Sequence, residues 1–129
     1  MTTRPPQFTD WPASIDPGFG PFRGVIQRVV DGDTLYILLD CSFSIYTFHS
    51  IRIANIDSPE LFSGPPEERA RGKAAKEYLE SIAPPGTKCL LRTDKDKTTF
   101  GRYIASALLA DGTDLASEMV RTGHAVWST

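Results

Sequence analysis

Three short fragments of this chain gather charge where strands would end: Asp31-Gly32-Asp33-Thr34, the run from Arg52 through Ile56-Asp57-Ser58-Pro59-Glu60, and Phe100-Gly101-Arg102. Each has a structural reading of its own, since Asp-Gly forms turns, Asp-Ser-Pro stops a strand and Gly-Arg can start one. Arg52 resists that reading. Flanked by Ile51 and Ile53 in an alternating segment, its guanidinium requires an anionic partner or an exposed groove. The nearest acidic residues that follow are Asp57 and Glu60. If the fragments converge, Asp33, Asp57 and Glu60 face Arg52 and Arg102, and the surplus negative charge repels a phosphodiester. A divalent cation reverses that sign, and a donor set of carboxylate and carbonyl oxygens favours a hard ion such as Ca²⁺ over zinc. The arginines then offer forked donors to a phosphoryl group whose negative charge grows during attack. These residue types suit a phosphodiesterase.

Elements that could position them follow from the hydrophobic pattern. Phe22 opens FRGVIQRVV, an Asp31-Gly32 turn follows, and in DTLYILLD the side chains of Leu35, Ile37 and Leu39 share one face, a hairpin signature. The segment IYTFHSIRIANI alternates again, with Ile51 and Ile53 on one side and Phe48, Arg52 and Ala54 on the other. PPEERARGKAAKEYLESIA begins with proline and acidic residues, places Arg71, Ala75, Tyr78, Leu79 and Ile82 at helical spacing, and ends at Pro84-Pro85-Gly86. KCLLR and RYIASALLA read as strands separated by the charged segment TDKDKTTFG. Asp114 reads as the N-cap of a second helix, LASEMVRT, with Gly123 just past its end. The order β-β-β-α-β-β-α predicts an α+β fold, mainly β, built as a five-stranded barrel of the oligonucleotide/oligosaccharide-binding (OB-fold) type with two helices.

The chain has 129 residues, of which 40% are hydrophobic and 23% charged; this is enough for one packed domain and excludes fibrous and wholly disordered classes. Its net charge of −2 provides no general basic field, so phosphate binding must be local. No apolar run is long enough for a membrane span, and MTTRPPQFTDWP lacks the apolar stretch of a secretory signal, so the expected location is cytoplasmic, without membrane association. Cys41 and Cys89 are far apart and are expected as buried thiols. Half of the 10 prolines fall within residues 1–21, together with Phe8, Trp11 and Phe19. That stretch is expected to be an arm that docks, with residues 22–129 forming the domain. His49 and His124 are expected in structural or exposed roles, and Arg69, Arg71, Lys73 and Lys76, interleaved with glutamates, as a solvated helix face. Trp127 is expected to cap the barrel, and no stacked aromatic motif stands out in the pattern.

Taken in order, VVDGDTL, IRIANIDSPE, RGKAAKEYL, TFGRYIASALLADG and LASEMVRTGHA resemble the staphylococcal nuclease-like (thermonuclease) family over about residues 22–127. The resemblance implies the five-stranded barrel, Ca²⁺ dependence, and hydrolysis of DNA or RNA to 3′-phosphate ends. It makes Asp33 and Asp57 carboxylate ligands of Ca²⁺ beside the backbone carbonyl of Ser58. It assigns Glu60 to positioning or deprotonating the attacking water, and Arg52 and Arg102 to clamping the scissile phosphate. A glutamate is a weak base at neutral pH, so orienting water is the larger part expected of Glu60.

The chain also departs from that family. Phe100 stands where a tyrosine often contacts phosphate, and Thr99 where a lysine is common, with Lys95 and Lys97 nearby; weaker substrate binding is expected. Secreted members have a further C-terminal helix, whereas this sequence stops at Thr129, so the arm or a protein partner is expected to cover the exposed barrel surface. These departures support a rival expectation: a nuclease-fold structural or binding subunit of a larger assembly, such as a phage-type particle, with weak or no activity.

Overall fold

A computed structural model of the chain describes residues 20–99 and 102–128 together with Gln7, Pro12 and Ser14, and within 94–99 it describes the backbone alone. The proline-rich arm, with Phe8, Trp11 and Phe19, lies almost wholly outside the described residues, as do Phe100 and Gly101.

Among the described residues nine elements follow one another: β1 (Phe22–Asp31), β2 (Thr34–Asp40), β3 (Tyr46–Ile53), β4 (Ile56–Asp57), α1 (Pro66–Ile82), β5 (Lys88–Thr99), β6 (Arg102–Leu109), α2 (Leu115–Arg121) and β7 (Val126–Trp127). Five of them close into a barrel in the order β1-β2-β3-β6-β5. All its pairings are antiparallel except that of β3 with β6. This is the OB-type α+β architecture expected from the pattern. Two elements add to it: β4 and β7 pair through Ile56 with Trp127 and Asp57 with Val126.

Period-two alternation builds the interior. Ile26, Leu35, Ile37, Ile51, Ile53, Leu91 and Ala105 point inward and are buried, joined by Leu79 from α1 and Leu115 and Met119 from α2. β-branched residues suit this pleated surface, and each large buried side chain contributes roughly 1.5–3 kcal/mol relative to exposure. The charged segment expected to separate two strands is instead strand backbone: β5 continues to Thr99, where Thr98 and Thr99 pair with Tyr103 and Arg102 across a register shift. Cys89 is buried, but Cys41 is only half-buried, against expectation, and both are free thiols. Burial pushes the Cys89 thiol up to about 11.

α1 starts with Pro66 and carries Glu67 and Glu68 in its first turn, where proline has no N–H to lose and carboxylates meet the positive end of the helix. Its buried stripe is Gly72, Ala75 and Leu79, whereas Arg71 is exposed. The reason lies at Gly72: a Cβ there would stand 2.7 Å from the carbonyl carbon of Glu60 and 2.9 Å from the amide nitrogen of Leu61. The helix can meet that loop only through a glycine. Asp114 caps α2 by accepting from the N–H of Ala116 at 3.0 Å. Gly123, at φ 79°, closes the other end, where its N–H donates to Val120 and that of His124 to Met119. Tyr78 joins the helices, donating to Glu118 at 2.6 Å and stacking on His124 at 4.5 Å between ring centroids.

Two stability predictions follow. Alanine at position 72 would gain about 1 kcal/mol of helix propensity, but overpacking against rigid backbone costs about 1–3 kcal/mol and more at the shortest approaches; Gly72→Ala is therefore expected to lower unfolding stability in urea. Glu118 is held down at about 2, first by Arg121 and then by Tyr78. Its stabilising contribution is complete above the ordinary value of 4.5 and is lost as pH falls through about 2. Carboxyl NMR titration should show that midpoint, and Tyr78→Phe should move it upward.

Candidate active site

The turn between β1 and β2 is the first piece of the site. Asp31 pairs with Thr34, and the N–H of Asp33 donates to the Asp31 carboxylate at 3.0 Å, the side-chain-to-backbone bond that favours aspartate in turns. Gly32 is required here for space: a Cβ would lie 2.7 Å from Ser58 Cβ and 2.8 Å from Ala75 Cβ. Because Gly32 is bare, the loop after β4 and helix α1 both press against the turn.

Asp33 is thereby buried, with 10% of its side chain exposed. Such a carboxylate needs donors on both oxygens. Thr34 donates to Oδ1 at 3.0 Å, while the N–H of Ser58 at 3.2 Å and Arg52 Nη2 at 3.4 Å reach Oδ2. The same Arg52 nitrogen donates to Asp57 Oδ1. Arg52 thus answers the question its sequence position poses: it lies beside Thr34 in the β2–β3 ladder and between two inward isoleucines, and its charge is met by two aspartates. Asp57, on β4, leaves 55% of its side chain in solvent.

Arg102 enters from the other half of the chain. At the start of β6, its Nη1 donates to Thr34 Oγ1 at 2.8 Å, so one buried hydroxyl accepts from Arg102 and donates to Asp33. Arg52, Asp33, Asp57, Ser58 and Arg102 are therefore brought together. Glu60 is not joined to them by a hydrogen bond or ion pair among the described residues: its carboxylate accepts from Ser63 at 3.5 Å and is exposed. Its place is set through its backbone, against Gly72.

Two contributors escaped the sequence reading. Thr34, 2% exposed, links Arg102 to Asp33; its position inside the Asp-Gly-Asp-Thr fragment was the available signal. Asp31 fixes the turn, and burial, followed by its neighbour Asp33, raises its carboxyl above the ordinary carboxylate value. His49 plays a packing part, edge-on to Tyr103 at 4.9 Å. Trp127 pairs by its backbone beside Ile56 and is 54% exposed.

The donor set suits a hard cation. Asp33 and Asp57 meet on one nitrogen of Arg52, which puts their oxygens within reach of a single positive centre, and one of the two is open to solvent. Among the described residues no three His, Cys, Asp or Glu side chains form a metal cage; a cation at this patch would have these two carboxylates and neighbouring backbone carbonyls as its protein donors, with water completing its shell.

A model of the staphylococcal nuclease homologue family matches residues 50–129. The chain belongs to that family. The match opens within β3, just ahead of Arg52, and runs past β7. Endonuclease YhcR of Bacillus subtilis (strain 168) is 30% identical over 112 residues, which cover 82% of this chain and 9% of that protein. The chain therefore spans a small part of the length of this relative.

The candidate site rests on a charge pair that also holds the fold. Arg52→Ala leaves the buried Asp33 carboxylate with fewer donors, at a cost of about 1–3 kcal/mol, and adding Asp33→Asn should recover part of it. Urea unfolding of both single variants and the double variant checks this; a double-variant loss equal to the sum of the two single losses would show that the two side chains do not interact.

Proposed function

We propose that this protein is a Ca²⁺-dependent nuclease that hydrolyses phosphodiester bonds of DNA or RNA with little sequence preference and leaves 3′-phosphate ends. The observation that carries this reading is the meeting of Arg52, Asp33 and Asp57 with Arg102, through Thr34, on one patch of the barrel in a member of this family. The name endonuclease borne by the Bacillus relative supports it.

In this reading Asp33, Asp57 and the Ser58 carbonyl would hold Ca²⁺, which would supply positive charge to attract and polarise the phosphate. The chain's own groups do the rest. Arg52, held by Asp33 and Asp57, is oriented before substrate arrives and turns its remaining N–H groups to the phosphoryl oxygens. Arg102, anchored on Thr34, approaches the same phosphate from β6. Both donate most strongly when charge accumulates on phosphorus-bound oxygen, which lowers the barrier more than it tightens ground-state binding. Glu60, exposed on the loop seated against Gly72, orients the attacking water and accepts its proton. Water oxygen bonds to phosphorus, the P–O5′ bond breaks, and the 5′ oxygen leaves with a proton from solvent while phosphate stays on the 3′ carbon's oxygen.

The purified chain should cleave single- and double-stranded nucleic acid with Ca²⁺ and stop in excess chelator. Arg102→Lys keeps the charge but loses the fork, so kcat is expected to fall by about 10²–10³ with little change in KM. Cleavage that persists in chelator would overturn the cation's part. No cleavage under any condition would leave a nuclease-fold binding subunit as the reading.

A further inference from the structure

At the strand ends away from the two arginines the barrel has an apolar groove on its outside. Gly24, Ile37, Cys89 and Leu109 are buried, so their strand neighbours Val25, Leu38, Leu90 and Leu108 face outward from β1, β2, β5 and β6. Register keeps these four together, because Val25 pairs with Leu38 and Leu90 with Leu108. With Tyr46 and Ala110 they line a groove of about 580 Å³. Leu90 and Leu108 are each 42% exposed, and contiguous apolar surface of this kind marks a contact site. Arg23, Lys88 and Asp40 edge it, with Arg23 paired to Asp40 at 3.5 Å.

The chain attaches its own apolar segment beside this groove. The carbonyl of Gly20, just ahead of β1, accepts from Arg92 Nη1 at 3.4 Å. Arg92 shares the outer face of β5 with Leu90, two residues and so about 7 Å along the strand. Residues 1–19 therefore begin one step from the groove. Trp11 precedes Gly20 by nine residues, a reach of up to about 30 Å, whereas the four strands together are only about 15 Å wide. Phe8, Trp11, Ile15 and Phe19 supply apolar side chains, and residues 8–19 hold Asp10 and Asp16 but no lysine or arginine. Lys88 and Arg92 lie on the side of the groove where that charge is met. Pro5, Pro6, Pro12 and Pro17 reduce the freedom lost when such a segment is fixed. Gln7, Pro12 and Ser14, the described arm residues, are exposed, so docking depends on the tryptophan and its apolar neighbours.

We propose that the groove of β1, β2, β5 and β6 is the docking site of the chain's own N-terminal arm, with Trp11 as the main anchor. Tethering selects this occupant over a second copy or a separate protein, since a segment joined by a short linker is present at an effective concentration in about the millimolar range. Charge selects it as well, an acidic segment meeting a rim with more cations than carboxylates. Thr34, Arg52 and Arg102 lie at the opposite strand ends. Docking therefore covers apolar barrel surface without entering the candidate site, and it is independent of the nuclease reading.

Trp11 and Trp127 are the chain's two tryptophans, so the full chain carrying Trp127→Phe reports on Trp11 alone. Acrylamide quenching of its fluorescence is expected to be well below that of the same chain in urea. Leu90→Glu and Leu108→Ser should each lose most of this protection, because one leucine contact shifts docking by about tenfold or more. Phe62→Ser, which removes an exposed ring outside the groove, should leave it unchanged. Both groove side chains point outward, and thermal unfolding checks that each variant folds; Leu108→Ser gives the answer where a glutamate on β5 disturbs the strand. Sedimentation equilibrium should find a monomer. Quenching as strong in the native chain as in urea, protection that survives both groove substitutions, or protection that falls on dilution together with a dimer would each overturn the proposal. Absent cleavage would overturn the nuclease reading alone, since none of these readouts involves turnover.

Discussion

A guanidinium on a barrel strand, between two isoleucines committed to the interior, must be neutralised where it stands. Arg52 is neutralised by Asp33 and Asp57, and that requirement organises the surroundings. Asp33 is itself buried, so it draws a hydroxyl from Thr34 and a backbone N–H from Ser58. Asp57 must be held at the same nitrogen, and the short pairing of β4 with β7 holds it. An isolated buried charge would cost several kcal/mol; met by two carboxylates, one of them held by two further donors, it becomes an oriented group.

The helix serves this charge cluster by contact rather than by contributing a charge to it. α1 reaches the β1–β2 turn through Ala75 and the loop bearing Glu60 through Gly72, and both approaches depend on a missing Cβ, at Gly32 in one case and at Gly72 in the other. The distances are set by backbone against backbone or Cβ, which yield little. A side chain on an exposed loop such as Glu60 can therefore be placed reproducibly even though its carboxylate has only Ser63 beside it.

Much of this was legible in the residues. The alternation around Arg52 exposed the need for an anion, the Asp-Gly and Asp-Ser-Pro fragments marked where it would come from, and Asp114 and Gly123 bounded α2 where the structure has them. What escaped was whatever depends on pairing rather than on local pattern. The lysine- and aspartate-rich stretch of β5 resembles a loop by composition, yet its partner β6 makes it strand. Arg71 fits the helical period, but the loop across from it admits only Gly72. Tyr36 and Phe48 are far apart in sequence, and only the β2–β3 register makes them a stack. Thr34 is a modest residue until Arg102, from the far half of the chain, arrives on its hydroxyl.

That arrival has a kinetic side. β1, β2 and β3 can zip up as neighbours, but closure of the cylinder waits for Phe22 to find Leu91 and for the parallel junction of Ile51 with Tyr103. Loop closure over such separations is slow, and its entropy is spent before any contact rewards it. The Arg102–Thr34 bond spans the same seam. A chain with only its first three strands paired thus carries Asp33 and Arg52 but not the Arg102–Thr34 bond, so the cluster is completed only where the barrel closes.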